Sequence, residues 1–286
     1  MKGKVCLITG ANSGIGRAAA FELARMGASL VLVCRDGAKG EAVVKAIQGQ
    51  TGNRSVELMI ADLSSLRQVR RLAEGFRSKF PKLDVLINNA GVLHGRRVLT
   101  EDGYETTFAT NHLAPFLLTH LLMDRLKTAA PSRVVAVASI AEKSGRIDMD
   151  NLQGERRYRG FENYCHSKLA NVLFTLELAR RLQGTGVTAN CLHPGVVATH
   201  LGQTQFGPLA LFIKAIKPFF ISPERGGRTT VYLASAEELT GVSGKYFEDN
   251  EAKDPSPQSR RDDLARELWQ ASARLTGLPD IPSFTA

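Results

Sequence analysis

Thr9-Gly10-Ala11-Asn12-Ser13-Gly14-Ile15-Gly16 joins a short apolar run, Lys4–Thr9, to an apolar-periodic stretch that continues through Met26. Glycines at a strand-to-helix junction let the chain turn tightly and bring its backbone close to a pyrophosphate. The helix N-terminus then supplies free N–H groups and a partial positive charge. The pattern is TGxxxGxG rather than the commoner GxGxxG. Gly10, Asn12, Ser13, Gly14, Ile15 and Gly16 are therefore the first candidate ligand-binding residues.

The same alternation continues beyond this turn. Apolar runs at Ser29–Cys34, Val56–Ile60, Val85–Ile87, Arg133–Ser139 and Val187–Leu192 predict strands. Periodic stretches to about Gln50 and at Ser65–Lys79, Tyr104–Lys127 and Phe161–Leu182 predict the intervening helices, with Pro115 bending the third of these. A helix from about Pro223, a short strand at Gly244–Phe247 and a helix near Arg260–Leu275 follow. Strands separated by helices of this length imply parallel crossovers. The expected fold is α/β: a single Rossmann-type doubly wound parallel sheet of about seven strands with helices on both faces, spanning residues 1–286. Two polar or irregular stretches, Ile140–Gly160 and His200–Ser222, follow the fifth and sixth strands, at the sheet edge where ligands bind in this architecture.

Length and composition agree with this reading. A chain of 286 residues, 43% hydrophobic and 23% charged, can bury a full core without disulfides or metals, and is neither disordered nor fibrous. The net charge of +9 is spread along the chain, its densest points being pairs such as Arg70-Arg71 and Arg180-Arg181, with no nucleic-acid motif beside them. That excludes a nucleic-acid partner and leaves a solvated surface with a preference for anionic ligands. Cys6, Cys34, Cys165 and Cys191 form no CxxC pair and read as buried thiols of a reducing compartment; no metal site is expected. No apolar run of about 18 residues exists to span a membrane, and Met1–Thr9 is too short for a signal-peptide core.

Further residues stand at telling positions. Tyr164 and Lys168, four apart on a predicted helix, share a face one strand–helix unit after Ser139. Asp62-Leu63, Asn88-Asn89-Ala90-Gly91, Asn111, and Pro194-Gly195 with Thr199 complete the set. Together with Thr9–Gly16, in this order and spacing, the sequence resembles the short-chain dehydrogenase/reductase family over nearly the whole chain. The resemblance implies that Tyr164 exchanges a proton with the substrate oxygen, Ser139 orients that oxygen, and Lys168 lowers the phenol's proton affinity and binds the nicotinamide ribose. Asn111 would hold a water in a proton relay. Asp62 and Leu63 would face the adenine, Asn89, Ala90 and Gly91 the ribose, and Pro194, Gly195, Val197 and Thr199 the nicotinamide. Cys34 occupies the place where NAD-using members carry an acid, and Arg35 follows it. A guanidinium there suits a 2′-phosphate, so NADP(H) is the expected cofactor.

Within that family, Tyr164–Phe174, Asn111–Leu113 and Ser243–Phe247 resemble the retinol dehydrogenase group. This implies a small lipophilic aldehyde or alcohol as substrate, with retinal and retinol first and other lipid aldehydes or steroid ketones as alternatives. A nucleotide-sensing protein without turnover is the reading from outside enzymes. Leu209 and Phe212, with Ile213 and Ile216, suit a substrate lid around 200–222, and the same stripe, 208–221, suits peripheral contact with a membrane. The expected location is the cytoplasm or the cytosolic face of a membrane. Members of the family commonly pair as homodimers through the helices predicted at Tyr104–Lys127 and Phe161–Leu182.

Overall fold

A computed structural model describes residues 1–195, 221–279 and 283–284. Eight strands form one sheet: β1 (Val5–Thr9), β2 (Ser29–Cys34), β3 (Val56–Ile60), β4 (Val85–Asn88), β5 (Ser132–Val137), β6 (Val187–His193), β7 (Tyr246–Glu248) and β8 (Glu251–Lys253). Their order is β3-β2-β1-β4-β5-β6-β7-β8, parallel except for the antiparallel β7–β8 pair. The chain runs outward from β1 to β3 and then returns to place β4 on the other side of β1. That reversal opens a crevice at the carboxyl ends of β1 and β4, where ligands bind in sheets of this kind.

Strand residues alternate between two cores. Leu7, Val31, Val33 and Leu86 face one, and Cys6, Ile8, Leu30 and Leu32 face the other. Helices α1 (Gly14–Arg25) and α2 (Gly37–Thr51) cover the second face together with α8 (Pro223–Ser235). The α1–α8 crossing is close because it is built of small residues: a Cβ on Gly227 would lie 3.3 Å from Ala18 Cβ. The first face carries α3 (Leu66–Lys79), α5 (Ala114–Leu121), α7 (Gly160–Arg181) and α9 (Asp262–Thr276).

Two details of the expected elements differ. The sheet has an eighth strand, β8, which the sequence hides because its three residues are exposed and carry no apolar pattern. It forms through a two-residue turn in which Asp249 and Asn250 adopt φ of 48° and 66°, the left-handed geometry of a tight hairpin. The helix predicted at Tyr104–Lys127 is not one bent helix. It starts as a single turn, α4 (Thr106–Phe108), held by the buried Glu105 carboxylate, which accepts the N–H groups of Thr107 and Phe108 at 2.9 and 2.8 Å. It then passes through a π turn, Ala109–Leu113, into α5, and a separate helix α6 (Met123–Thr128) ends it. Pro115 sits just beyond the π turn; it has no N–H to donate one turn back, so the α-helical register cannot be continued there without loss.

The helices at which a second copy was expected also pack against this chain's own C-terminal segment. Trp269 of α9 is 2% exposed, with ring centroids 5.0 Å from Phe116 and 5.8 Å from Phe174, and the Arg181 guanidinium lies 4.3 Å from its ring. Lys127 Nζ donates to the Phe284 carbonyl at 2.6 Å.

That junction also holds two histidines. Burial pushes His112 down to about 4; burial does the same for His120, with the Arg181 charge acting in the same direction and the Phe116 carbonyl opposing it. Between the ordinary value of 6.5 and 4, the folded chain therefore binds fewer protons than the unfolded one, and stability falls as pH drops through that window. Each histidine is expected to remove about 2.5 kcal/mol of unfolding free energy between pH 7 and pH 4.5. Urea titrations at those two pH values check this with His120→Phe, whose loss should be smaller by about that amount. Equal losses in variant and parent would refute it.

Candidate active site

The turn between β1 and α1 is closed by residues just after β4. Asn89 Nδ2 donates to the carbonyls of Thr9 at 2.7 Å and Gly10 at 3.3 Å, while Thr9 Oγ1 accepts the N–H groups of Asn89 and Ala90. This approach demands glycine. A Cβ on Gly16 would lie 2.4 Å from Asn89 Nδ2, and one on Gly10 would lie 2.9 Å from Ala90 Cα. Gly10 and Gly14 also take φ of 67° and 55°. Asn12 and Ile15 are half-buried in the turn and Ser13 is exposed.

Ser13 occupies the cap position of α1 without a side-chain cap bond, whereas Asp36 caps α2 and Ser65 caps α3. The first-turn N–H groups of α1 are thus left for an anion, and a pyrophosphate fits them. On the neighbouring strands Arg35 is 76% exposed and lies 3.8 Å from Asp62, not beside Asp36, whose carboxylate is committed to Lys39. Asp62 also accepts the N–H and hydroxyl of Ser64, and Leu63 is buried. Cys34 lies beneath them, packed so that a Cβ on Gly40 would lie 2.7 Å from its Sγ. An exposed guanidinium with no acid in the preceding position accommodates a 2′-phosphate.

At the carboxyl ends of β4 and β5 the remaining residues converge. Ser139 follows β5 and begins a 3₁₀ turn, Ile140–Ser144; its hydroxyl oxygen accepts the Ala141 N–H and its hydroxyl contacts the Tyr164 phenol. His193 Nδ1 accepts the Ile140 N–H at 3.0 Å, fixing that turn to β6. Lys168, one helical turn after Tyr164, is buried and donates to the Val137 carbonyl at 2.9 Å; its Nζ is 5.7 Å from the centre of the Tyr164 ring. Gly91 brings its backbone to the same ammonium, since a Cβ there would lie 3.4 Å from Nζ.

Asn111 lies in the π turn, fully buried, with its side chain committed to protein partners. Its Oδ1 accepts the Val92 N–H at 2.8 Å, and its Nδ2 donates to the Val92 carbonyl and to Ser167 Oγ. It therefore clamps the loop after β4 to α7. A relay through Asn111 would have to use its main chain, because the side-chain amide is already engaged.

Burial sets the proton affinities here. Desolvation pushes the Tyr164 phenol up to about 12, against the Ser139 hydroxyl, which pulls it down. This is opposite to the lowering expected from Lys168: the loss of water prevails, with the ammonium 5.7 Å from the ring centre. The Lys168 ammonium is itself pushed down to about 8 by burial. The arrangement is one neutral hydroxyl pair with a buried cation behind it.

Pro194 and Gly195 follow β6; Val197, Thr199, Leu209, Phe212 and the expected lid lie outside the described residues. Sequence reading assigned no part to Thr9, Ser167 or the Val137 carbonyl, which hold Asn89, Asn111 and Lys168 in place. Only Thr9 carried a signal, as the threonine of the TGxxxGxG pattern. A cleft of about 430 Å³ lined by Phe108, Arg146, Glu162 and His166 lies elsewhere. Its α7 residue His166 is turned about 200° around the helix from Tyr164, so this cleft is not the catalytic one.

The short chain dehydrogenase family pattern matches residues 4–208. Human retinol dehydrogenase 13 is 47% identical over 293 residues, covering 98% of this chain and 86% of that protein. A crystal structure of an uncharacterized protein from Mycobacterium paratuberculosis superposes with a TM-score of 0.79 at 35% identity, covering 97% of this chain and 94% of that one. A blue fluorescent protein from a metagenomic library, solved in complex with NADPH, does so with a TM-score of 0.69 at 27% identity, covering 86% and 95%. The likeness thus takes in the glycine turn, the crevice and the Ser139–Tyr164–Lys168 group together, and the chain belongs to the short chain dehydrogenase family of oxidoreductases.

Proposed function

We propose that this protein is an NADP(H)-dependent carbonyl reductase and alcohol dehydrogenase acting on lipophilic aldehydes and alcohols, with retinal and retinol as the leading pair. The observation that carries the reaction is the placement of Ser139, just after β5, with Tyr164 and buried Lys168 one helical turn apart on α7, Lys168 being held by the Val137 carbonyl at the end of β5, beside the uncapped start of α1. The α1 turn would hold the pyrophosphate, Arg35 the 2′-phosphate, Asp62 and Leu63 the adenine, and Asn89, Ala90 and Gly91 the ribose side. Pro194, Gly195, Val197 and Thr199 would flank the nicotinamide. When bound, the cofactor supplies or accepts the hydride.

The chain's own residues do the proton work. Ser139 donates to the substrate oxygen and holds it against Tyr164. Tyr164, protonated through neutral pH, gives that oxygen a proton during reduction and takes one back during oxidation. Lys168 places a positive charge behind the phenol and offers its remaining N–H groups to the ribose. Asn111 keeps α7 and the loop after β4 at the distance this requires. The cofactor choice is supported by exposed Arg35 following Cys34 and by the NADPH complex of the metagenomic relative. The retinoid reading is supported by the 47% identity to a protein named retinol dehydrogenase 13. Leu209 and Phe212 would line its apolar pocket.

NADPH oxidation with all-trans-retinal, medium-chain aldehydes and a steroid ketone tests the proposal. Retinal turnover with NADPH, weak with NADH, is expected, and Arg35→Asp should shift that preference toward NADH by about tenfold or more, the loss of one charge-assisted contact. Turnover confined to the other carbonyls discards the retinoid substrate and keeps the chemistry. NADPH binding with no turnover on any of them overturns the reductase.

A further inference from the structure

The π turn that carries Asn111 is gripped from two sides. On one side Asn111 reaches Val92 and Ser167, as described above. On the other, the next residue, His112, meets α9: its Nε2 is 2.8 Å from Ser272 Oγ. Both His112 and Ser272 are buried. The protons can be placed. The single Ser272 hydroxyl proton goes to the Leu268 carbonyl, 2.7 Å away and one turn back on α9, so the Ser272 oxygen is left as the acceptor. His112 must then carry its proton on Nε2 and donate it. The ring is packed against Phe108 and Phe174, with centroids at 5.1 and 6.1 Å.

A π turn is a local surplus of one residue in a helix, and its register is set by whatever pins the side chains within it. Here two adjacent residues are pinned in opposite directions, Asn111 toward the reaction centre and His112 toward the C-terminal helix. α9 is itself tied down at its end, where the carbonyls of Leu275 and Thr276 accept from Tyr104 Oη and Arg70. It also lies beyond residues 4–208, the span of the family pattern. We propose that Ser272 is a positioning residue: through His112 it holds the π turn in the register that presents Asn111 to Val92 and Ser167. The C-terminal helix thereby becomes part of the apparatus that sets the spacing between the loop after β4 and the helix bearing Tyr164 and Lys168.

This rests on the reading that Asn111 serves the reaction, and the test separates the two. Turnover is measured at saturating NADPH and aldehyde, well below the melting temperature, for Ser272→Ala, Asn111→Ala and the double variant. Ser272→Ala should lower kcat about tenfold with KM for the aldehyde and Kd for NADPH within about twofold, a coupling of the size that residues in one network show. In the Asn111→Ala background, the Ser272→Ala change should cost less than about twofold, because the group it positions is gone. Ser272→Cys, nearly the same size but a weak acceptor, should behave like Ser272→Ala and carries the comparison if the alanine variant does not fold. Unchanged kcat in Ser272→Ala, or the same tenfold drop in both backgrounds, overturns the positioning role alone. Unchanged kcat in Asn111→Ala overturns the catalytic reading of Asn111 and this proposal with it.

Discussion

Replacing Tyr164 with Phe is expected to lower carbonyl reduction by about a thousandfold, near the upper part of what a positioned proton donor contributes. The change removes one oxygen and little else. The ring still has its stacking partner, Phe161, at a centroid distance of 6.4 Å, and Ser139 keeps the Ala141 N–H. Cofactor affinity should therefore stay within about twofold and the melting temperature within a few degrees, since an isosteric loss of one buried hydroxyl is small. The pH dependence of the parent adds a second readout. With the phenol at about 12, the acid form needed for reduction is already present at neutral pH, whereas oxidation must begin by removing a proton. Alcohol oxidation should rise from pH 6 to pH 8 while reduction stays nearly flat, and Tyr164→Phe should abolish both. Rates measured in both directions with NADPH and with NADP decide it; residual reduction within tenfold of the parent would remove Tyr164 from the proton-donor role.

The central strands were legible because they are buried on both faces. Ser29–Cys34 is an apolar run buried from Leu30 onward, while Val56–Ile60, the edge strand, is only partly buried and carries Glu57 within it; both appear with those ends as β2 and β3. Three exposed residues, Glu251–Lys253, become a strand only because Asp249 and Asn250 turn the chain back on β7. Nothing in their own pattern could say so. The π turn was hidden for a related reason: apolar residues on either side of Ala109–Leu113 still look helical, and Pro115 suggested a bend where the structure changes register. In the site, Tyr164 and Lys168 were legible because four-residue spacing on a helix fixes their relation locally. The commitments of Asn89 to the Thr9 and Gly10 carbonyls, and of Asn111 to Val92 and Ser167, join segments 19 to 80 residues apart. Sequence order gives the presence of those asparagines but not the tertiary approach that uses up their hydrogen bonds.

Lys168→Met should separate stability from activity in opposite directions. The ammonium is fully buried with one carbonyl partner, Val137, and burial has pushed it from 10.5 to about 8. Holding it charged below pH 8 costs the folded state about 3 kcal/mol relative to the unfolded chain. A methionine of similar length carries no such cost and fills the same space, though it leaves the Val137 carbonyl without its donor, which takes back about 1 kcal/mol or more. The variant should therefore be more stable than the parent by about 1 to 2 kcal/mol at pH 7. The sign of the pH dependence follows. Between pH 8 and 10.5 the unfolded parent holds a proton that the folded parent has lost, so the parent's stability rises with pH and the advantage of the variant shrinks. Turnover should move the other way, falling by a hundredfold or more, within the range for loss of a group that sets a proton donor's environment. Paired urea titrations at pH 7 and 9.5, beside retinal reduction by the same preparations, give both quantities. A variant that is both less stable at pH 7 and equally active would mean that Lys168 is a structural anchor, and the buried cation behind Tyr164 would lose its place in the chemistry.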